Sequence, residues 1–509
     1  MARSGKRIPI AIALLALLLA GCQAAPPPTP PPTPAPTAIP TSSPTSAPAA
    51  SPTITLTPLP GNVRAGYGLG DPYFPELGNP GYDVQNYVIS LDVDPETGEI
   101  SGKTSIQAEA ADTLRSFNLD FQKQLKIDKI SVNGTGSIYS RVRHELIITP
   151  DMPLQAGDEF TVEVSYHGVP HPVKTDSMPS PYQVGWSRGT SKAINVLSEP
   201  DGASTWFPAN DHPLDKALYR FEITVPRPWV VAASGNLIET TQEGDKTRYV
   251  WEMDKPMASY LASVDIDHYR VEESAGPAGV RIRNYIPVDA DPALTANLKL
   301  LPEMIAYFSG LYGPYPFDAY GVLLASSTVW ECAYSQTQAL EVQSLSVHCP
   351  DKEMLSEATL AHELAHQWFG DSVSLKRWQD IWLKEGLATY SEWLWRTRGQ
   401  GVDAVTAIAN EQKNSYQQTG MIGQPSPNNI YSNDSYTGGA LVAHALRLKV
   451  GDEAFFKILR TYQARYRYGN AGTQEFIAVA EEVSGQDLSS FFDSWLMQTT
   501  LPEWPAPSK

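Results

Sequence analysis

The chain has 509 residues, of which 42% are apolar, and a formal net charge of −18 at neutral pH. A chain of this length can bury a large core and divide into two or three domains. No run of lysine or arginine occurs after residue 7. Because phosphate recognition requires a basic face, this acidic composition argues against a nucleic-acid partner.

The first 22 residues have the form of an export signal. Basic residues at the start precede an apolar run, Ile8 to Leu19, which is too short to span a bilayer. The junction Leu19-Ala20-Gly21-Cys22 resembles a bacterial lipobox, in which the cysteine becomes lipidated; an ordinary signal peptide is the alternative. We therefore predict a lipoprotein signal peptide over residues 1–22, a membrane anchor at Cys22, and an extracytoplasmic location at the cell surface or facing the periplasm.

Residues 23–66 consist largely of proline, threonine, serine and alanine. Such a segment cannot bury enough apolar surface to fold and favours extended polyproline II, so it is predicted to be a tether. With Cys22 assigned to lipid, Cys332 and Cys349 remain as an even pair in an exported chain. A disulfide between them is predicted, with two buried free thiols as the alternative.

Residues 67–270 are predicted to form a β-sandwich-like N-terminal domain. The runs NYVISLDV, FTVEVSY, YRFEITV and TRYVWEM alternate apolar and polar residues with period two, between Gly, Pro, Asn and Asp turn signals. On its own such a domain is equally compatible with an adhesin or a carbohydrate-binding module.

Residues 271–509 are predicted to form a second, mostly helical domain, which makes the fold class α+β and multidomain. From about Asp291 onward, apolar residues recur at three- and four-residue spacing, as in LTANLKLLPEMIAYFSGLY, LSEATLAHELAHQWFGD and QDIWLKEGLATYSEWLWRTRG. Two short runs, YGVLLASS and ALEVQSLSV, are each predicted to be a strand of a small sheet against these helices.

The run TLAHELAHQWF places His362 and His366 four residues apart, so both imidazoles point to the same side of a helix and can bind one zinc ion. Glu363 follows the first histidine and lies beside such a metal, where it can take a proton from activated water. We predict one Zn²⁺ per chain, bound at these histidines.

A catalytic zinc site needs a third protein ligand. The longer pattern HExxHxxGxxH is not continued, because Phe369 and Ser372 occupy the positions of its glycine and third histidine. The best-placed carboxylate is Glu385 in DIWLKEGLATYSEW, on the next predicted helix. Glu392, two turns further along that helix, is the competing candidate.

Three segments together resemble the M1 family of zinc aminopeptidases, the gluzincins: HELAHQWFGD, WLKEGLATY and EPDGASTWFPANDHPLDKA. The resemblance extends from Tyr82 to about Trp495. Lys384 stands where asparagine is usual, Ser204 where arginine is usual and Ala209 where cysteine is usual. The resemblance implies a thermolysin-like catalytic domain over residues 271–509, without the large C-terminal helical domain that many relatives carry.

The resemblance also implies roles for individual residues. QALEVQSL resembles a divergent form of the family's amine-binding GAMEN loop, which gives Glu341 that role; Glu331 in VWECAYS is the alternative. Glu199 matches the second amine-binding position. Tyr436 in SYTGGALV corresponds to the tyrosine that stabilises the oxyanion, with Tyr431, or a merely packed aromatic ring, as the alternatives.

These assignments predict a zinc aminopeptidase that removes residues from the free amino termini of peptides by metal-activated water, with Glu363 as the general base. Two other functions remain open at this point. One is a zinc endopeptidase, and the other is a noncatalytic surface protein whose β-rich domain binds a ligand.

Overall fold

The period-two alternation of the N-terminal half produces sheets that are buried on one face. The computed structural model of the chain describes residues 68–175, 177–178, 182–329, 332–333 and 339–506. The predicted signal peptide, the lipidation site Cys22 and the predicted tether lie outside these residues. In the first strand, Tyr87, Ile89, Leu91 and Val93 are buried while the intervening side chains are more exposed, as the alternation predicts.

Within the described residues the strands are β1 (Tyr82–Asp94), β2 (Glu99–Ala110), β3 (Phe117–Asp120), β4 (Lys126–Val132), β5 (Thr135–Gly136), β6 (Ile138–Val142), β7 (Glu145–Thr149), β8 (Glu159–Gly168), β9 (Val173–Lys174), β10 (Gln183–Arg188), β11 (Ile194–Leu197), β12 (Ala217–Pro226), β13 (Val230–Ala233), β14 (Asn236–Glu243), β15 (Lys246–Met257), β16 (Val264–Asp267), β17 (Tyr269–Ala275), β18 (Arg281–Pro287), β19 (Ala319–Tyr320), β20 (Val322–Leu324), β21 (Ala339–Leu340), β22 (Ser346–His348), β23 (Ser374–Leu375) and β24 (Asn470–Ala471).

Most strands of the N-terminal half belong to three sheets. The largest has the order β14-β15-β12-β1-β2-β8-β4-β5, in which β1 pairs antiparallel with β2 and parallel with β12. A second sheet has the order β13-β16-β11-β10-β9, and a third the order β3-β7-β6. Strand β11 ends at Leu197, two residues before Glu199, so the second sheet carries that glutamate at its end.

A further sheet, of order β17-β18-β20-β22-β21 with β19 beside β18, leads into the helical half. The predicted strand in YGVLLASS is confirmed as β20. The prediction of one strand in ALEVQSLSV is wrong, because the chain reverses between Leu340 and Ser346 and forms the antiparallel pair β21 and β22. Ser344 lies in this reversal with a φ of +69° and donates its backbone N–H to Gln367 Oε1 over 2.7 Å. Glu341 directly follows β21, at the start of this reversal.

The helices of the described residues are α1 (Leu301–Tyr312), α2 (Glu357–His366), α3 (Trp382–Arg396), α4 (Val402–Ser415), α5 (Gly439–Val450), α6 (Asp452–Tyr466), α7 (Thr473–Ser484) and α8 (Ser489–Leu496), with one π-helical turn at Asp434–Gly438. None of them is both long enough and apolar enough to cross a bilayer.

The periodicity of LTANLKLLPEMIAYFSGLY predicts one helix, but α1 begins only at Leu301, after two 3₁₀ turns at Pro292–Thr295 and Leu298–Leu300. The reason is Pro302, which has no N–H to donate and whose ring clashes with the carbonyl four residues earlier, so a helix accepts it only in its first turn.

The two halves contact each other at the loop between α2 and α3. Lys216, from the β-rich half, donates from Nζ to the carbonyl oxygens of Asp371 (2.7 Å) and Ser372 (3.3 Å). Asp71 accepts from the backbone N–H of Trp378 over 2.8 Å. The β-rich half therefore helps to fix the connection between the two helices of the site. A β-rich half followed by a mostly helical half confirms the predicted fold class; the boundary between residues 270 and 271 stays a prediction.

Candidate metal and active site

Helix α2 carries the two histidines of the predicted zinc site. It begins after Ser356, whose Oγ accepts the backbone N–H of Thr359 over 3.2 Å and so satisfies one of the free donors of the first turn. His362 and His366 lie on the same side of this helix, with ring centroids 4.7 Å apart.

Helix α3 brings a carboxylate to the same point. Glu385 Oε2 lies 3.2 Å from His362 Nε2 and 3.5 Å from His366 Nε2. One donor atom from each residue lies within 4.8 Å of the other two, and all three residues are buried. These three residues form what we call the metal end of the site.

The other ring nitrogen of each histidine is bonded away from the metal end. His362 Nδ1 lies 2.7 Å from Glu392 Oε1, and His366 Nδ1 donates to the carbonyl oxygen of Phe369 over 3.0 Å. These contacts place the proton on Nδ1 and leave Nε2 of each ring as a lone-pair donor directed at Glu385. The donor set therefore fits a zinc ion with two nitrogen ligands and one oxygen ligand. Glu392, the competing candidate, contacts the outer side of His362.

Glu363 lies next to the metal end. A carboxylate oxygen of Glu363, a ring nitrogen of His366 and a carboxylate oxygen of Glu341 also lie within 4.8 Å of one another. Burial raises the pKa of Glu363 well above its usual value, and the charges of Glu341 and Glu385 add to this effect. By contrast, neighbouring groups, chiefly the Lys384 ammonium, outweigh the effect of burial on Glu385 and lower its pKa. Glu363 is therefore suited to accept and release a proton, whereas Glu385 is suited to stay ionised as a metal ligand.

Tyr436 lies in the π-helical turn that precedes α5. Its ring stacks on that of His362, with centroids 5.9 Å apart and planes 24° apart. Burial raises the pKa of Tyr436 well above 10, so its hydroxyl keeps its proton and can donate it in a hydrogen bond. The alternative, Tyr431, has its ring 6.0 Å from Lys384 Nζ. Both tyrosines line the same cleft, Tyr436 towards the metal end and Tyr431 towards Lys384.

The two predicted amine-binding glutamates converge on a cation that belongs to the chain itself. Lys384 Nζ contacts Glu199 Oε1, lies 2.5 Å from Glu341 Oε1 and lies 3.3 Å from Glu385 Oε1. The Lys384 side chain has no exposed surface. Burial lowers the pKa of Lys384, but the three carboxylates outweigh it and raise that pKa above its usual value, so the group is an ammonium. We call Glu199, Glu341 and Lys384 the ammonium end.

Nothing in the spacing or periodicity of the sequence predicts that Lys384 belongs to the site. Lysines on helices usually extend into solvent, and only the replacement of the family's usual asparagine by lysine pointed to this position. The predicted alternative to Glu341, Glu331, lies outside the described residues.

Both ends open into one cleft of about 520 Å³. The cleft is lined by the predicted zinc ligands, the predicted catalytic residues Glu363 and Tyr436 and the predicted amine-binding glutamates. Apolar side chains such as Val184, Leu197 and Leu340 also line it. Cys332 and Cys349, the second of which directly follows β22, are joined by a disulfide, with Cα atoms 5.3 Å apart. A mixed polar and apolar cleft of this size suits a short peptide.

Two buried histidines and a glutamate on consecutive helices, with a second glutamate positioned as a base, define a metallopeptidase site on an α+β scaffold. Comparison with known proteins agrees with this class. Residues 83–261 match the Peptidase M1 N-terminal domain and residues 330–495 match the Peptidase family M1 domain. The chain belongs to the M1 family of zinc metallopeptidases, and zinc is its cofactor.

Similar proteins include Aminopeptidase N of Lactococcus lactis subsp. lactis, 25% identical over 443 residues that cover 82% of this chain and 51% of that protein. Aminopeptidase M1 of Arabidopsis thaliana is 26% identical over 467 residues, which cover 85% of this chain and 52% of that protein. The chain thus spans about half the length of these curated relatives. Among solved structures, a mutant of the M1 zinc metallopeptidase from Deinococcus radiodurans, bound to a Tyr-Ser-Ala substrate, has a TM-score of 0.79 at 28% identity and covers 87% of this chain and 100% of that one.

Proposed function

We propose that the protein is a zinc-dependent aminopeptidase that hydrolyses the first peptide bond of peptides with a free amino terminus. The observation that carries this proposal is the position of Glu199 and Glu341, two buried carboxylates in the cleft that also holds the metal end. The pair already binds one ammonium group, that of Lys384. Carboxylates placed in this way are suited to a buried amino terminus, which needs charged hydrogen-bond partners.

Zinc, when bound by the metal end, supplies Lewis-acid activation of water and of the scissile carbonyl. The Glu363 carboxylate accepts the proton that the attacking water loses, and its raised pKa makes it a better base for this step. Glu363 then delivers that proton to the nitrogen of the departing amine, which returns the glutamate to its starting state. The Tyr436 hydroxyl donates a hydrogen bond to the carbonyl oxygen as negative charge develops on it, with Tyr431 as the alternative donor.

The activity is tested with purified full-length protein on Tyr-Ser-Ala, the tripeptide bound by the Deinococcus metallopeptidase, and on the same peptide with an acetylated amino terminus. We expect release of tyrosine from the free peptide, loss of activity with a chelator, and recovery with zinc. Glu363→Gln is the control that should retain zinc without turnover. A wild type that is fully loaded with zinc and cleaves neither peptide would favour the noncatalytic surface protein.

A zinc endopeptidase is the second candidate, and the observation that favours it is Lys384. Because this lysine already neutralises part of the charge on Glu199 and Glu341, the carboxylates have less need of a substrate ammonium. Equal cleavage of internal bonds in free and acetylated longer peptides by the wild type would support this function over the aminopeptidase.

We further propose that the protein is a lipoprotein anchored at Cys22 and held outside the cytoplasm. The lipobox-like junction and the predicted tether support this location, and the disulfide between Cys332 and Cys349 suits an oxidising compartment. Labelling cells with a radioactive fatty acid should mark the wild type and leave Cys22→Ala unlabelled. Equal labelling of both, or release of the wild type into the soluble fraction, would contradict the anchor.

A further inference from the structure

Lys384 occupies the position at which a substrate ammonium is expected to bind. Its Nζ contacts Glu199 and lies 2.5 Å from Glu341 Oε1, and the ring of Tyr260 lies 5.3 Å from the same atom. Carboxylates and an aromatic face are the groups that stabilise a buried cation. The chain therefore provides the ammonium end with a cation of its own.

The position of Lys384 is held by its surroundings. It lies in the first turn of α3, and its aliphatic stem passes beside Gly370, where a Cβ would come within 3.2 Å of Lys384 Cγ. Gly370 has a φ of +132°, a conformation that other residues rarely adopt, so this position stays free of a side chain. Because the lysine is fully buried, it can leave this position only if the side chains around it also move.

A peptide amino terminus needs the same carboxylate oxygens. If both cations bound Glu199 and Glu341 together, two ammonium groups would share one buried pair of carboxylates and repel each other strongly, because the interior screens charge poorly. If the peptide displaced the lysine, the ion pairs of Lys384 would be lost. In either case the binding of a free amine is weaker than it would be without the lysine.

We propose that Lys384 is a specificity-determining residue: its ammonium competes with the substrate amino terminus for Glu199 and Glu341, and so reduces the preference of the cleft for free over blocked peptides. This inference rests on the proposed function of the same cleft. It makes the ammonium end partly occupied before any substrate binds.

The test measures binding rather than turnover. Tyr-Ser-Ala and its N-acetylated form are titrated calorimetrically into zinc-loaded Glu363→Gln protein, with and without Lys384→Asn. With Lys384 present we expect the two dissociation constants to lie within about tenfold of each other. In Lys384→Asn the free peptide should bind at least about tenfold more tightly, which corresponds to about 1.4 kcal/mol. The acetylated peptide should change by less than about twofold.

Three further variants separate charge from general damage. Lys376→Asn removes a lysine that pairs with Glu475 outside the cleft, at 2.5 Å, and should alter neither affinity. Lys384→Arg keeps the positive charge and should retain the weak preference for free amines. Lys384→Met removes the charge but keeps a long stem, so it should bind the free peptide as tightly as is expected of Lys384→Asn. It takes the place of Lys384→Asn in the test if the shorter asparagine side chain destabilises the fold. Zinc content is measured for each protein.

Unchanged or weaker binding of the free peptide by zinc-loaded Lys384→Asn or Lys384→Met would overturn the proposal. The proposal would also be overturned if protein with Lys384 bound the free peptide more than about 100-fold more tightly than the acetylated peptide. This comparison needs no lysine variant. The proposed function fails separately. If the protein with native Glu363 cleaves neither peptide but the lysine variants still bind the free peptide more tightly, the role of Lys384 stands and the aminopeptidase does not.

Discussion

The two ends of the cleft hold their charges in different ways. At the metal end, the Nδ1 atoms of His362 and His366 are bonded to other groups, which leaves both Nε2 atoms directed at Glu385 and prepared for an ion from outside. At the ammonium end, Glu199 and Glu341 are already bonded to a cation of the chain. The metal end is therefore organised to receive an ion, whereas the ammonium end must exchange the lysine ammonium for the amino terminus of a substrate.

The two ends also differ in how the chain builds them. The metal end comes from consecutive helices, α2 and α3, so their mutual packing determines its geometry. The ammonium end joins a residue that follows β11, a residue that follows β21 and a residue in the first turn of α3. Its geometry depends on how the β-rich half packs against the helical half. Glu385 contacts Lys384 and so belongs to both networks, but variants at the other residues should be able to damage one end while leaving the other intact.

The largest effect should come from Glu363→Gln, which changes none of the residues that make up the metal end or the ammonium end. Without the carboxylate no group accepts the proton of the attacking water, and we expect kcat to fall by about 10²- to 10⁴-fold. Zinc content, by metal analysis, and affinity for a free-amine peptide, by calorimetry, should both stay close to those of the wild type. Loss of zinc from this variant would place Glu363 among the ligands and contradict its role as a base.

Glu385→Ala should damage the metal end directly. Loss of an outer hydrogen-bond partner of a ligand typically weakens metal binding by about 10- to 100-fold, so loss of a ligand should weaken zinc retention by more than about 100-fold. Zinc content after dialysis against a weak chelator measures the change. Because Glu385 Oε1 also lies 3.3 Å from Lys384 Nζ, peptide affinity should change as well. Full zinc occupancy in this variant would show that Glu385 is not a ligand.

The metal end was largely predictable because its determinants are local. The spacing of His362 and His366 fixes a shared helix face, and a short reversal returns the next helix to it. The sequence favours Glu385 as the third ligand, with Glu392 on the same helix as the competing candidate. The structure places them on opposite nitrogens of the His362 ring, a distinction that depends on helix packing and that periodicity does not encode.

The ammonium end could be predicted only in part. Family resemblance identified Glu199 and Glu341, but no spacing rule connects residues so distant in sequence. Lys384 was noted as a departure from the family motif, yet its direction into the protein depends on Gly370 and on the carboxylates of the other half. The break of ALEVQSLSV into two strands was missed for a similar reason, because the contact that holds the turn comes from Gln367 on another segment.

Acid should weaken the sheet that supports the ammonium end through His348 on β22. Burial lowers the pKa of His348 to about 4. Its Nδ1 donates to the carbonyl oxygen of Met354 over 2.7 Å, and its Nε2 lies 2.9 Å from Ser346 Oγ, contacts that suit a neutral ring. Between pH 6.5 and 4 the unfolded chain protonates this histidine whereas the folded protein keeps it neutral, so the contribution of His348 to the free energy of unfolding falls as the pH is lowered.

The contribution of His348 should amount to at most about 3 kcal/mol over this range, since one pKa unit corresponds to about 1.4 kcal/mol. Chemical denaturation of wild type and His348→Gln at pH 7 and pH 4.5 measures it, because the wild type should lose more stability, or gain less, than the variant between these two values. A second buried histidine, His444 on α5, also has its pKa lowered to about 4 by burial, so the single variant should remove only part of the effect. An identical pH dependence in wild type and His348→Gln would contradict the assignment.

The smallest effect should come from Glu392→Gln, which tests whether the metal end depends on the outer contacts of its ligands. Glu392 accepts from His362 Nδ1 and so holds that ring with Nε2 facing the metal, whereas His366 has a backbone carbonyl as its partner, which no substitution removes. A neutral amide can still accept this bond but no longer adds negative charge, so zinc affinity should fall by about tenfold. Competition with a chelator of known affinity measures this fall. Glu411→Gln, which changes an exposed glutamate on α4, serves as the matched control.

Because Glu392 contacts no residue of the ammonium end, the ratio of affinities for free and acetylated peptide should not change in the zinc-loaded variant. A change in that ratio would mean that the two ends are coupled through α3 and would contradict their independence.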